Sequence, residues 1–171
     1  MTILAVCGSL QRQSANSRLL HAAVAAAPAG VKVVLFDGLG ALPHFNPDIE
    51  AAGAPESVMR WRRGLEESDA VLIASPEYGH SLPGALKNAI DWAIGSGELE
   101  GKVVAITAAV PALERGRRGL QALRETLGAV RATIVGGEPI VAGPELDRHA
   151  AELVAALVAA ARARSGVASG L

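Results

Sequence analysis

The chain has 171 residues, of which 50% are apolar and 19% are charged, and this composition predicts one globular domain over residues 1–171. With 16 basic and 17 acidic residues, it lacks the basic surplus typical of proteins that bind nucleic acid or anionic membranes. No apolar run is long enough to span a bilayer, and the N-terminus shows no secretory signal, so we expect a cytoplasmic protein. The single cysteine, Cys7, cannot form an internal disulfide, and we expect it to pack at a strand end.

Short apolar runs alternate with longer amphipathic stretches along the chain, a pattern typical of parallel strands that helices cover on both faces. We therefore predict an α/β fold. We expect mobility only after Arg164. The predicted strands are Ile3–Gly8, Val31–Phe36, Ala70–Ser75, Lys102–Ala108 and Arg131–Val135, and the predicted helices are Ser17–Ala27, Pro55–Glu67, Pro83–Ile94, Arg115–Leu127 and Glu145–Arg164.

Five strands, each followed by a helix, favour a flavodoxin-like three-layer sandwich with a parallel sheet of order 2-1-3-4-5. In that order, strand 2 is added on one side of strand 1 and strand 3 on the other, so the strand order reverses between strands 1 and 3. The loops that follow Gly8 and Ser75 should then face each other across the crevice where such folds bind ligands.

The first of these loops, Gly8–Ser17, combines a glycine with several short hydroxyl and amide side chains. It contains neither the dinucleotide-binding G-x-G-x-x-G pattern nor a nucleoside-triphosphate loop. A helix N-terminus at its end would offer free N–H groups and a positive dipole end to one phosphate monoester. The alternative, which the sequence leaves open, is that Ser14 or Asn16 only caps the helix.

The second loop begins the stretch Ser75–Trp92. Pro76 stiffens the loop, whereas Gly79 allows a ligand to approach the backbone closely. A planar ring with polar edges would fit there, with Tyr78 beside it and the N–H groups of residues 77–79 at its edge. The alternative is an ordinary connection with Pro83 in the first turn of a helix.

Both loops carry motifs that are similar to a known family. The sequences VCGSLQRQSANSRLL and SPEYGHSLPGALKNAIDW resemble the NADPH-dependent FMN reductases, over about Ile3–Gly136. The resemblance implies a flavodoxin-like fold, bound FMN, NADPH or NADH as co-substrate, and a small-molecule acceptor such as a quinone, free flavin, azo compound or metal oxyanion. It also implies a homodimer or homotetramer with the flavin near a subunit interface.

The resemblance also assigns residues to the two halves of an FMN site. The phosphate half lies in the first loop, where Gln11 replaces the arginine usual in the family and Arg12 or Arg18 would have to supply the charge. The ring half lies in the second loop, where Gly79 replaces the family's asparagine and His80 follows. The implied FMN ligands are Ser9, Gln11, Arg12, Ser14, Asn16, Ser17, Pro76, Glu77, Tyr78, Gly79, His80 and Thr107.

A third departure follows the fourth strand, where the sequence TAAVPALERGRRG replaces the family's loop rich in serine and glycine. Thr107 and the small residues after it can still bring backbone to the ring. Arg115, Arg117 and Arg118 are either solvated or meet the phosphates of NADPH. The segment Leu42–Asp48 resembles the family's Leu-Pro loop, which can reach the active site of the same or the neighbouring subunit.

Such chemistry needs little from acidic or basic side chains, because the cofactor carries the electrons. We therefore predict no catalytic residue, although Tyr78 and His80 merit testing, and no metal site, since no ligand cluster is present. A one-electron flavodoxin-type carrier would share the fold, but the chain lacks an obvious acidic docking surplus. A flavin-free interaction module on the same fold is the other alternative. The motifs of common hydrolases are missing.

Overall fold

A computed structural model of the chain describes residues 1–168, with side chains up to residue 164. Its five strands form one parallel sheet of order β2-β1-β3-β4-β5, so the predicted flavodoxin-like order is confirmed. The strands are β1 (Thr2–Cys7), β2 (Lys32–Phe36), β3 (Ala70–Ala74), β4 (Val103–Val110) and β5 (Thr133–Val141). The helices are α1 (Ala15–Ala25), α2 (Pro47–Ala52), α3 (Glu56–Glu66), α4 (Gly84–Ile94), α5 (Arg117–Ala129) and α6 (Leu146–Ala168).

The sheet lies between two helical layers, each with its own apolar core. On one face α1 and α6 pack against the central strands. On the other face α3, α4 and α5 cover the sheet, and the indoles of Trp61 and Trp92 are fully buried there. All side chains of β3 and β4 are buried, because helices cover both faces of these strands. The sheet thereby fixes the positions of the loops at its carboxyl edge.

Strands β4 and β5 continue further than the sequence pattern predicts. Gly136 and Gly137, which directly follow the predicted end of β5 at Val135, have φ values of 70° and 106°. The strand contains a bulge here rather than an end, since the register shifts between Ile106 and Ala108 and pairing then resumes with Pro139. Residues 108–110, which follow the bulge, are consequently still paired with β5.

Two helical segments replace the loop that we predicted between β2 and α3. A short 3₁₀ helix spans Leu39–Ala41, and Asn46 caps α2 by accepting a hydrogen bond from the Asp48 N–H at 2.8 Å. Pro47 at the first helical position completes the N-terminal signal.

The last helix also differs from the prediction, because α6 continues past Arg164 to Ala168. The rest of the tail that we expected to be mobile, residues 169–171, lies outside the described residues. Within residues 1–168, no helix has the length and apolarity needed to cross a membrane.

Candidate functional site

The loops after β1 and β3 start side by side at the carboxyl edge of the sheet. The Gly8 N–H donates to the Ala74 carbonyl oxygen at 2.8 Å. A Cβ at Gly8 would lie 3.1 Å from the Ser75 hydroxyl and 3.2 Å from the Leu86 side chain, so this close approach favours glycine. The predicted neighbourhood of the two loops is therefore observed at their first residues.

The first loop ends in a well-formed helix N-terminus. Ser14 is the N-cap of α1 and accepts a hydrogen bond from the Ser17 N–H at 3.0 Å, while Ser9 accepts one from the Gln11 N–H at 3.2 Å. The N–H groups of Ala15 and Asn16 donate to no acceptor among the described residues. The first turn of α1 holds no acidic side chain. These groups suit a phosphate, and capping by Ser14 is compatible with that role.

Gln11 and Arg12 lie exposed on this loop, and Arg18 is exposed on the first turns of α1. Cys7, at the end of β1, is partly buried, and its Sγ lies 3.8 Å from the Ser14 hydroxyl. The first loop borders a cavity of about 330 Å³ on the α1 side of the edge strand β2, with Cys7 in its lining.

Asn16 joins the first loop to the carboxyl end of β4. Its side chain is almost fully buried, and its Oδ1 accepts a hydrogen bond from the Ala109 N–H at 2.9 Å. This orientation leaves the two N–H donors of the amide as the part of Asn16 that can meet a phosphate oxygen. The sequence offered no signal for this bond, since the two residues are 93 positions apart.

The second loop forms a tight turn at Tyr78–Ser81. The N–H of each end residue donates to the carbonyl of the other at 3.0 Å, and Gly79 and His80 have φ values of 56° and 63°. Two successive positive φ values define a type I′ turn, for which glycine and asparagine are the favoured residues. Glycine can therefore replace asparagine at position 79 without changing the backbone path.

This turn changes one expectation about the second loop. We predicted that the Tyr78 N–H would meet a ligand, but this N–H is already bonded to the Ser81 carbonyl. The prediction is wrong for this group. The N–H groups of Glu77 and Gly79 have no acceptor among the described residues. Tyr78 is 54% exposed as a residue, so its ring is available for stacking.

Glu77 fastens the second loop to the start of α5. One carboxylate oxygen accepts hydrogen bonds from the Arg118 and Gly119 N–H groups at 3.0 and 3.1 Å, and the other lies 3.2 Å from Nδ1 of His80. The Gly119 bond is the largest of the effects that lower the pKa of Glu77, and partial burial opposes it. Glu77 thus stays ionised against a positive helix end.

A cavity of about 550 Å³ separates the second loop from the segment that follows β4. This volume lies in the range of small-molecule sites. Its lining comprises Pro76, Glu77, His80, Ala109, Val110, Pro111, Glu114, Arg115, Gly116 and Arg118.

The carboxyl end of β4 and the residues that follow it line this cavity, and they include Ala109 and Val110. Their contact with a flavin ring stays a prediction. Thr107 lies deeper in the sheet, where its hydroxyl donates to the Glu138 carbonyl at 3.2 Å and its own carbonyl accepts from the Ser75 N–H. Thr107 is 1% exposed and does not line the cavity.

The distinctive residues of α4 hold the Leu-Pro loop in place. Asn88 donates to the Pro43 carbonyl at 2.9 Å and accepts from the Phe45 N–H at 2.7 Å. The Trp92 indole N–H donates to the same Pro43 carbonyl at 2.8 Å, and the Phe45 ring meets the indole edge-on at 5.0 Å. The i, i+4 spacing of Asn88 and Trp92 was the available signal, since it places both side chains on one helix face.

Replacing Asn88 by Ala is expected to free the Phe45 N–H and to lower the free energy of unfolding by about 1 kcal/mol. The melting temperature should fall by about 2–4 °C for a domain of this size. Faster hydrogen exchange at Phe45 would locate the change. Lys87→Ala on the same helix removes only a partly exposed ion pair and serves as the control. Unchanged exchange at Phe45 would contradict this assignment.

The parallel sheet and its carboxyl-edge site define a flavodoxin-like protein. Residues 1–145 match the NADPH-dependent FMN reductase family. The chain is 39% identical over 127 residues to an NAD(P)H-dependent FMN reductase of Pseudomonas aeruginosa, covering 73% of this chain and 68% of that protein. It is 36% identical over 129 residues to a quinone reductase of Pseudomonas putida, covering 74% and 69%.

Among solved structures, the flavoenzyme NAD(P)H:(acceptor) oxidoreductase of Paracoccus denitrificans superposes with a TM-score of 0.77. It is 30% identical, and the match covers 91% of this chain and 96% of that one. The chain belongs to the NADPH-dependent FMN reductase family. It is an NAD(P)H-dependent flavoprotein oxidoreductase with FMN as cofactor, as the two motifs predicted.

Proposed function

We propose that this protein transfers hydride from NAD(P)H through FMN, bound between the first and second loops, to a small-molecule acceptor. The observation that carries the proposal is the pairing of a free helix N-terminus at α1 with the cavity beside the second loop. The first feature suits a phosphate monoester and the second a planar ring. FMN contains both groups.

The residues present fit this cofactor. The hydroxyls of Ser9, Ser14 and Ser17 and the N–H groups of Ala15 and Asn16 would hold the phosphate, with Gln11, Arg12 or Arg18 at its exposed side. Pro76, Glu77, Gly79 and His80 would border the ring, and Tyr78 would stack beside it. Thr107, which does not line the cavity, would act only indirectly, through the hydrogen bond that its hydroxyl donates to the Glu138 carbonyl in β5. Bound FMN supplies an electrophilic ring that takes up two electrons.

The protein's contribution is position rather than proton transfer. The type I′ turn and the Glu77 bonds hold the second loop on α5, which fixes one wall of the cavity. Glu77 is ionised and fully engaged, so we assign it no role as an acid or base. Holding the nicotinamide against the ring at reacting distance is an entropic contribution.

We propose a quinone as the acceptor, because relatives are named quinone reductases. We further propose a cytoplasmic homodimer or homotetramer, in which Phe45 and Asn46 of one subunit approach the flavin of another. Phe45 and Tyr78 are large apolar side chains with 36% and 54% exposure, which supports burial against a second copy.

The purified protein is expected to be yellow or to take up added FMN, and to oxidise NAD(P)H with a two-electron quinone acceptor. An absorption spectrum and a steady-state assay test both points. A colourless protein that binds no FMN would favour the interaction module. One that binds FMN but is not reduced by NAD(P)H would favour the one-electron carrier.

The double variant Ser9→Ala/Ser14→Ala should weaken FMN binding by at least about tenfold, because it removes two serine hydroxyls that would hydrogen-bond to the charged phosphate. Loss of the N-cap should also lower stability by about 1 kcal/mol. Fluorescence titration gives the FMN affinity. Ser96→Ala is the control, because this serine lies just after the C-terminus of α4 and outside both loops. An unchanged FMN affinity in the double variant would place the phosphate elsewhere.

A further inference from the structure

Two arginines line the ring cavity without a partner. Arg115 and Arg118 both border it, the first just before α5 and the second in its first turn. Among the described residues, neither guanidinium lies within 4.0 Å of a carboxylate or donates a hydrogen bond. Arg117, between them, is different: it lies 3.8 Å from Glu138 and donates to the Leu113 carbonyl. The cavity therefore has free cationic side chains on the wall opposite the second loop.

The N-terminus of α5 is already partly occupied. The N–H groups of Arg118 and Gly119 are bonded to the Glu77 carboxylate, whose charge also opposes the positive helix end, and of the first three N–H groups of α5 only that of Arg117 has no acceptor among the described residues. An anion in this cavity would therefore be held mainly by the guanidinium groups. Guanidinium groups offer paired N–H donors that match phosphate oxygens, and they stay charged at every physiological pH.

Two carboxylates border the cavity, those of Glu77 and Glu114. Glu77 is already bonded to the start of α5, whereas Glu114 is exposed and has no ion pair among the described residues. It would repel a phosphate that binds at the neighbouring arginines. Glu114 therefore provides a test in which the expected effect has the opposite sign.

We propose that Arg115 and Arg118 bind the 2′-phosphate of NADPH and make the protein prefer NADPH to NADH. This inference rests on the proposed function. If the nicotinamide enters the cavity beside the second loop, the remainder of the coenzyme leaves by the rim that these arginines form. The two coenzymes differ only in the 2′-phosphate, and a dianionic phosphate gains most from unpaired guanidinium groups.

The kinetic test compares both coenzymes in each variant. Arg115→Ala and Arg118→Ala should each raise the KM for NADPH by about tenfold, the loss of roughly one charge-assisted hydrogen bond, and leave the KM for NADH within about twofold. Arg117→Ala, whose partner is Glu138, should change neither KM. Glu114→Gln should lower the KM for NADPH alone. Equal changes for both coenzymes would overturn the inference.

A binding measurement gives a second readout that does not depend on turnover. Calorimetry on the FMN-loaded protein should show tighter binding of adenosine 2′,5′-bisphosphate than of 5′-AMP in the wild type and in Arg117→Ala. The difference should disappear in Arg115→Ala/Arg118→Ala. Equal affinity for the two nucleotides in the wild type would overturn the inference. So would a large loss of FMN affinity in the double variant, which would assign the arginines to the flavin.

The proposed function fails in a different way. If neither coenzyme reduces the FMN-loaded wild type, the reductase assignment is wrong. If both coenzymes reduce it equally well in the wild type and in the arginine variants, the reductase assignment holds and the preference for NADPH is wrong.

Discussion

Replacing Asn16 by Ala is expected to lower the free energy of unfolding by about 1–3 kcal/mol and to weaken FMN binding. The Ala109 N–H is buried and has Asn16 Oδ1 as its acceptor, so the variant leaves this donor without a partner. The same change removes the amide N–H donors from the first loop. Denaturant unfolding of the apoprotein and FMN titration measure the two effects separately.

The variant Asn16→Asp separates the two roles of this side chain. A carboxylate keeps an acceptor for the Ala109 N–H and suits the positive N-terminus of α1, so the apoprotein should be more stable than Asn16→Ala. The same carboxylate would repel the phosphate of FMN, and binding should fall below that of the wild type. Wild-type FMN affinity in Asn16→Asp would mean that the phosphate does not lie near Asn16.

The sheet order could be predicted because its signals are local: each buried strand is a short apolar run, and its neighbours follow from the flavodoxin-like connection pattern. The helix N-terminus in the first loop was predictable for the same reason, since Ser14 directly precedes α1 in sequence. The phosphate assigned to it stays a prediction. The continuation of β5 past Gly136 and Gly137 was not predictable, because glycines usually end a strand and only the pairing with β4 carries it across the bulge.

The internal bonds of the site were beyond prediction for a different reason. Asn16 and Glu77 read as cofactor ligands in the sequence, but in the fold each also joins elements that are distant in the chain. Such bonds depend on where the loops meet in three dimensions. The two residues therefore carry structural roles beside the ligand roles predicted for them.

Removal of the Glu77 carboxylate is the other change with a large expected effect. Glu77→Ala leaves the Arg118 and Gly119 N–H groups without this acceptor and detaches the second loop from α5. The loss of hydrogen bonds to a charged group should cost about 1.5–3 kcal/mol of unfolding free energy. Glu138→Ala, an exposed carboxylate near the same helix, should change stability by less than about 0.5 kcal/mol. Thermal unfolding of the three proteins at neutral pH measures this comparison.

The pH dependence identifies the charge as the cause. Because the folded protein lowers the pKa of Glu77, mainly through the Gly119 N–H, folding favours the ionised form. The stabilisation is complete above the ordinary pKa of a glutamate and is lost as the pH falls through the lower folded-state pKa. Glu77→Gln keeps one oxygen acceptor without the charge, so its deficit relative to the wild type should shrink as the solution is acidified.

A constant difference between Glu77→Gln and the wild type across the acidic range would show that the side-chain shape, and not its charge, holds the loop. A deficit that shrinks on acidification, together with weaker FMN binding in Glu77→Ala than in Glu77→Gln, would show that the ionised carboxylate both stabilises the fold and positions the second loop for FMN. The carboxylate would then be the group that binds the ring-bordering loop to α5. Because its hydrogen bonds occupy the Arg118 and Gly119 N–H groups, recognition of a coenzyme phosphate at this helix end would depend mainly on side chains.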